Sequence, residues 1–318
     1  TGLDGDDSRA VRERCIAGYG PITPASSHLL ALTTPAHRMA LVFSIKQTGV
    51  PAGGMMAGAL VPGLSLWLGW QGTLAVVAGV CAACAVLSQP LRAALDADRQ
   101  PSQALALGAL FRPVGMVLGH RSLAVLAACS FLFSAVQVSV TAYMVTYLNG
   151  SLGMTLLAAG AALSVSQLAG VVGRIAWGAV ADRGLGPRNT LMLLAVLMIV
   201  GSVLTALLQP GWPTALIWAI VALLGASAIG WNGVYLATVA RQAPPGQAAT
   251  ATGGTLMFTF MGVVLGSPAF GALAGFSGSY RLAFAALALP AALALGLLLW
   301  RARQVRREAA LQAPEAAQ

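Results

Sequence analysis

The sequence predicts an all-α membrane protein that crosses the bilayer many times, and three observations predict it. Of 318 residues, 58% are hydrophobic and 8% are charged, where an ordinary soluble domain carries roughly 25% charged residues. The apolar residues fall into nine runs of about 18–28 residues, long enough for a helix to span a hydrocarbon core. The arginines collect in alternate joints between these runs, which is the asymmetry that orients helices in a membrane. Inside lipid each run must satisfy its own backbone hydrogen bonds, so helix follows from the solvent rather than from propensity.

The runs are 15–32, 39–66, 70–88, 122–148, 155–179, 189–208, 213–240, 247–275 and 280–300. The joints after the first, third, fifth and seventh, with the C-terminal tail, hold Arg38, Arg92, Arg99, Arg112, Arg121, Arg183, Arg188, Arg241, Arg301, Arg303, Arg306 and Arg307, whereas the opposite joints hold Arg281 alone. The first set is therefore expected on the cytoplasmic side, with the C-terminus. The stretch 89–121 is the longest joint. Its amphipathic piece, Gln103 to Leu118, is expected to lie along the inner surface. Residues 1–14 contain seven charged residues yet run straight into an apolar helix that should start outside, which reads as a mark of truncation.

The net charge of +9 does not indicate a nucleic-acid partner, because the cations sit singly in joints rather than on one face with aromatics between them. Cys81 and Cys84 form a CxxC inside an apolar run with no His or further Cys beside them, so they are expected as small packing residues rather than as a metal or redox pair. No cofactor is expected. No HExxH, Ser/His pair or paired intramembrane acids suggest an enzyme, and no loop resembles an ion filter.

Three motifs carry more information. Gly178-Ala-Val-Ala-Asp182-Arg183-Gly-Leu-Gly186-Pro-Arg188 lies in a joint of the arginine-rich side. Arg14-x-x-x-Gly18-x-Gly20-Pro21 opens the first run. Gly49-Val50-x-x-Gly53-x-x-x-x-Gly58-Ala59-Leu60 in the second run recurs, 213 residues on, as Gly262-Val263-x-x-Gly266-x-x-x-x-Gly271-Ala272-Leu273 in the eighth. Duplicated halves are common in transporters.

These motifs resemble those of the major facilitator superfamily, over the chain from Arg14 onward. The first resembles the family's loop signature, Gly-x-x-x-Asp-Arg-x-Gly-x-Arg, with one extra residue between Arg183 and Gly186. The second resembles the fourth-helix signature with Ala17 in place of Gln, and the glycine run resembles the fifth-helix motif with Met55 where Gly-Pro is usual. The resemblance implies a major-facilitator-type helical bundle of about nine transmembrane helices, corresponding to helices four to twelve of a twelve-helix fold. The charged stretch 1–14 would then precede a partial N-terminal bundle (15–88), a cytoplasmic central loop (89–121), a six-helix C-terminal bundle (122–300) and a cytoplasmic tail (301–318). Within the family, Phe43 to Pro51 and Gly230 to Tyr235 most resemble the cyanate/nitroimidazole-permease-like group. The implied protein is a monomeric secondary transporter of a small solute, multi-pass and working by alternating access, and the Arg/Ala/Gly-rich composition associates it with a bacterial inner membrane.

Ionisable groups in a membrane interior are costly and mark function by default. Lys46 is the only lysine in the chain and lies two turns inside the second run; the bland alternative is a side chain that snorkels to the interface. Arg174 shares a helical face with Gln167, Val171 and Gly178, and the bland alternative is a gate residue paired with Asp182 or a helix end. Gln137, Trp231, Asn232 and Tyr235 are too large or too polar to be mere packing residues and are expected to contact substrate. The serines and threonines beside them are explained by packing and by bonds to the preceding turn. Asp182, Arg183 and Arg188, with Gly178 and Gly186, are expected to gate one face of the transport cycle, and Arg14, Gly18 and Gly20 to form the fourth-helix motif.

None of the nine acids lies inside an apolar run away from its end. A cationic interior without carboxylates points to a small organic or inorganic anion as substrate. Two alternatives keep the same fold: a proton-coupled exporter of drugs or sugars, whose acid would lie in helices preceding this stretch, and a non-functional remnant of a truncated gene.

Overall fold

The computed structural model describes residues 22–95 and 112–312, and among these the secondary structure is helical throughout. The elements are α1 (Ile22–Thr33), a short 3-10 turn (Ala36–Arg38), α2 (Met39–Leu95), α3 (Arg112–Gly119), α4 (Arg121–Leu152), α5 (Leu156–Val180), a π-helical turn (Ala181–Leu185), α6 (Pro187–Ala206), α7 (Thr214–Ala228), α8 (Asn232–Gln242), α9 (Ala248–Ser277), α10 (Tyr280–Ala286) and α11 (Ala288–Gln312). Seven stretches among the described residues are long and apolar enough to cross a membrane. Of the nine expected runs, 15–32 is described only from Ile22, and 39–66 is helical but not one of the seven.

The boundaries follow local chemistry. The expected joint at 67–69 is reduced to a single residue, Gly69, whose φ of 67° interrupts α2 and is open without strain only to glycine. Thr155 caps α5 by accepting from Ala158 N at 3.2 Å, and Pro187 sits in the first turn of α6, where its missing N–H costs nothing. The run 213–240 is broken into α7 and α8 at Ile229–Trp231, and the run 280–300 into α10 and α11. Helix α11 continues beyond the apolar run through most of the basic tail. The amphipathic piece expected at 103–118 is seen from Arg112, as α3, with Val117 buried.

Compactness divides the chain into two units, Thr1–Gln47 with Phe111–Gln318, and Thr48–Leu110. The smaller unit holds the rest of α2. Its apolar side chains along Trp67–Pro90 are exposed, Trp67 at 90%.

In the larger unit α4 packs along α9, α5 along α7, and α11 against α6 and α4. Lipid tails are as apolar as leucine, so such helices associate through close backbone approach and hydrogen bonds rather than through hydrophobicity. Both devices are present. A Cβ on Gly225 would stand 2.2 Å from Ser166 O, and one on Gly262 2.2 Å from Phe131 O. Ser134 Oγ donates to Thr259 O across the α4–α9 seam at 2.8 Å, and Ser139 Oγ to Gly266 O at 3.2 Å. The repeated glycine motif of α9 is thus the groove that seats α4. The expected bonds to the preceding turn also occur, as from Ser130 to Ala127 O and from Thr141 to Gln137 O. An aromatic group, Tyr143, Phe270, Phe284 and Tyr147, fills the seam toward the end that carries Arg281.

Gly225→Ala is therefore expected to destabilise the protein by about 1–3 kcal/mol through overpacking. Gly296→Ala, with open space around its Cβ position, should be neutral or slightly stabilising. Thermal unfolding of the two variants in one detergent checks the contrast.

Candidate functional site

The functional residues gather around three helix interruptions, and each interruption leaves backbone groups that only a side chain can satisfy. The first is the start of α2. Its leading N–H groups have no partner within the helix. Asp182, from the π turn, supplies one: its carboxylate accepts from Ala40 N at 3.2 Å and Leu41 N at 2.7 Å. Arg241, in the last turn of α8, completes the group with Nη2 2.9 Å from Asp182 Oδ1, and also donates to Ala36 O. The Asp182 side chain is 4% exposed and that of Arg241 27%. A carboxylate at a helix N-terminus and a guanidinium at a helix C-terminus both suit the macrodipoles, so one cluster ties α2, α5 and α8.

The π turn explains the extra residue of the loop motif. A wider turn takes up one inserted residue without shifting the helices on either side, which leaves Asp182 on the face of α5 that also bears Gly178. Gly186, at φ 75°, then reverses the chain into α6. Gly178 is buried, and a Cβ there would meet Ser44 Oγ at 2.6 Å; one on Gly233 would stand 2.2 Å from Ser44 Cα. These glycines let α2 lie directly against α5 and α8. Arg183 is exposed, and Arg188, half-buried, lines one cleft among α4, α6, α8 and α11 and another between α6 and α11.

The second and third interruptions meet at Arg174. The break between α7 and α8 leaves the carbonyl of Ile229 free, and Arg174 Nε donates to it at 2.9 Å. Four residues after Gln47 stands Pro51, which has no N–H to give the Gln47 carbonyl. Arg174 Nη1 donates to that oxygen instead. Arg174 is 5% exposed, and both its partners are neutral. Lys46, the neighbour of Gln47, has its Nζ buried with no hydrogen-bond partner among the described residues.

The same α7–α8 break presents the polar aromatic group. Gln137 Oε1, from α4, accepts from Trp231 Nε1 at 3.1 Å and Asn232 Nδ2 at 3.2 Å. Trp231 is fully buried, edge-on to Phe133 and to Tyr235, with centroids 5.5 and 5.2 Å away. Tyr235 Oη is buried beside Ser130, Thr255 and Thr259, with no hydrogen-bond partner of good geometry among the described residues. The structure thus brings Gln137, Trp231, Asn232 and Tyr235 into one cluster. Arg174 joins the same break from the other side through the Ile229 carbonyl. Arg14, Gly18 and Gly20 lie outside the described residues.

Sequence reasoning missed two members. Arg241 entered only as a topological marker, and its role needs the distance to Asp182. The Gln47 carbonyl was legible in principle, because a proline in a helix always frees the oxygen four residues before it. Among the described residues the acids are Asp182 and Glu308 alone, and each has an arginine partner.

Discontinuous helices with satisfied loose ends, buried cations and glycine-lined seams define a polytopic membrane transporter rather than an enzyme. The chain belongs to the Major Facilitator Superfamily, whose family model matches residues 14–260. No curated protein matches the sequence. Among solved structures it is similar to a single-site variant of the E. coli fucose:proton symporter FucP, at 14% identity and TM-score 0.66, covering 87% of this chain and 72% of that one. It is also similar to FucP in the outward conformation, at 16% identity and TM-score 0.67, with the same coverage. The protein is accordingly a multi-pass membrane protein that binds a small-molecule substrate.

Asp182→Ala removes two N-terminal caps and an ion pair and is expected to cost about 2 kcal/mol. Arg241→Ala, whose side chain is about a quarter exposed, should cost about 1 kcal/mol or less, and the double variant less than the sum. A double-mutant cycle on unfolding in detergent reads all three. Arg174→Met orphans two carbonyls and is expected to cost about 2–4 kcal/mol. Pro51→Ala in that background restores an N–H for Gln47 O and should recover part of the loss.

Proposed function

We propose that this protein is a secondary transporter that moves a small anion by alternating access, with Lys46 and Arg174 as its cationic contacts and Gln137, Trp231, Asn232 and Tyr235 shaping the rest of the cavity. The observation that carries the reading is the buried ammonium of Lys46, which has no partner among the described residues. A desolvated charge is costly until it meets an opposite one, and the described residues hold no free carboxylate to provide it. Arg174 adds positive potential without losing it to an acid, since it bonds only carbonyls. The cluster around Gln137 offers a neutral amide face and aromatic edges for the remainder of a small organic anion. The stretches Phe43 to Pro51 and Gly230 to Tyr235, which resemble the cyanate/nitroimidazole-permease-like group, include Lys46 and Trp231, Asn232 and Tyr235, which supports the reading.

Asp182, with Arg241 and the start of α2, is the latch. Its loop companions Gly178, Arg183, Gly186 and Arg188 position it, and its release and re-formation accompany opening of the arginine-rich end, which we assign to the cytoplasm with the C-terminus. The chain divides accordingly at the 89–121 linker, into a part ending near 88 and the bundle 122–300. The protein would work as a monomer in a bacterial inner membrane.

The test is uptake into proteoliposomes by the full-length protein, from a panel of radiolabelled carboxylates and inorganic anions beside neutral sugars. Lys46→Ala is expected to lower anion uptake roughly a hundredfold, the scale of losing one partner of a buried charge pair, while Lys46→Arg keeps a measurable part. Anion uptake unchanged in Lys46→Ala, alone or with Arg174→Ala, would overturn the assignment. Uptake of sugars alone, driven by a proton gradient, would replace it with a proton-coupled sugar transporter.

A further inference from the structure

The transport reading leaves unused a cleft of about 190 Å³ on the outside of the bundle, between the start of α6 and the end of the apolar part of α11. Arg188, Asn189 and Met192 line it from the first two turns of α6, and Leu299, Arg303 and Arg306 from α11. The last three are spaced four and three residues apart, so they form one stripe on the helix. Three arginines line it, beside the N-terminus of a 20-residue helix whose first amides carry partial positive charge. The ion pairs of the described residues go elsewhere, Arg241 to Asp182 and Arg301 to Glu308. Arg188, Arg303 and Arg306 therefore have no carboxylate partner among them. Asn189 Nδ2 is engaged with Leu185 O at 2.9 Å, which leaves its amide oxygen as an acceptor.

What lies beside the cleft says what fills it. Leu299 and Trp300, exposed at 41% and 49%, stand one turn from Arg303 on the membrane side. Trp300 has the amphipathic ring typical of headgroup depth. On α6 the stripe continues from Met192 to the exposed Val196 and Val200, an apolar surface on which an acyl chain can lie. A cationic cup opening onto a lipid-facing apolar stripe matches a phospholipid in both parts. A soluble anion would use only the first.

We propose that the cleft between α6 and α11 binds the headgroup of an anionic phospholipid, with Arg188, Arg303 and Arg306 on the phosphate and a headgroup hydroxyl within reach of the Asn189 amide oxygen. Arg188 follows directly on the loop that carries Asp182, so occupancy at the cleft also steadies the turn that holds the latch. The proposal is independent of which substrate is carried.

The full-length protein, purified in detergent, is titrated with phosphatidylglycerol, with phosphatidylcholine and with inorganic phosphate. Retained lipid is read by native mass spectrometry and stability by thermal unfolding. The expected result is a phosphatidylglycerol adduct and a raised Tm, neither seen with phosphatidylcholine. Arg188→Gln with Arg303→Gln and Arg306→Gln should weaken the adduct roughly a hundredfold, from the contribution of three basic residues at a membrane surface. Arg303 and Arg306 are exposed and Arg188 is half-buried, so unchanged circular dichroism is used to verify the fold of the variant. Arg307→Gln, in the same tail but outside the cleft, should leave the adduct intact. An equal loss with Arg307→Gln would show diffuse attraction by the basic tail and overturn the proposal. So would full displacement of the lipid by inorganic phosphate at equal concentration, which would make the ligand a free anion, or equal retention of phosphatidylcholine.

Discussion

The larger unit depends on a single constraint: in a hydrocarbon solvent no backbone oxygen or nitrogen can be left to water. Continuous helices meet it trivially. Among the interruptions of its helices, those at the start of α2, at Pro51 and between α7 and α8 are closed by a charged side chain from another helix. Asp182 closes the first, and Arg174 closes the other two at once. The charges are thereby placed by the backbone's needs, and function inherits their positions. Lys46 departs from this pattern, since its ammonium is buried beside these repairs and answers to none of them.

Two kinds of contact hold the seams together, and they differ in tolerance. The glycine seams of α4 with α9 and α5 with α7 place backbone against backbone, where one methyl group is too many. The polar groups around Asp182 and Gln137 span longer gaps with side chains that can rotate away and return. Motion between helices is therefore easier at the second kind of contact. The α2–α8 approach combines both, Ser44 on Gly233 below and Asp182 with Arg241 above, so it can separate once the charged pair lets go.

Most of the fold was legible because lipid imposes a length rule on every span, and where the residues are described the apolar runs found by that rule are helical. The break at Gly69 fell inside the expected joint at 67–69. What length cannot reveal is an interruption within a run. Trp231 and Asn232 were noticed for their chemistry, but that they stand at a helix break follows only from the backbone at Ile229–Trp231. Arg174 was legible as a costly charge inside an apolar run, on the helical face that also bears Gln167 and Gly178. Its two acceptors were not, because one lies 55 residues away and the other 127, and both are main-chain oxygens that any residue carries. The proline that frees Gln47 was a signal available from the start.

The π turn at Ala181–Leu185 carries a further consequence for comparing sequences. Because the insertion is absorbed within one turn, the residues before it keep their correspondence with relatives, and those after it shift by one position. An alignment that places its gap a few residues upstream, before Asp182, will set Arg183 opposite the acidic position and push Asp182 into the variable column before it. Family trees or couplings inferred from such columns would assign this chain to transporters lacking the acid. Gapping between Arg183 and Gly186 restores it to those that keep it.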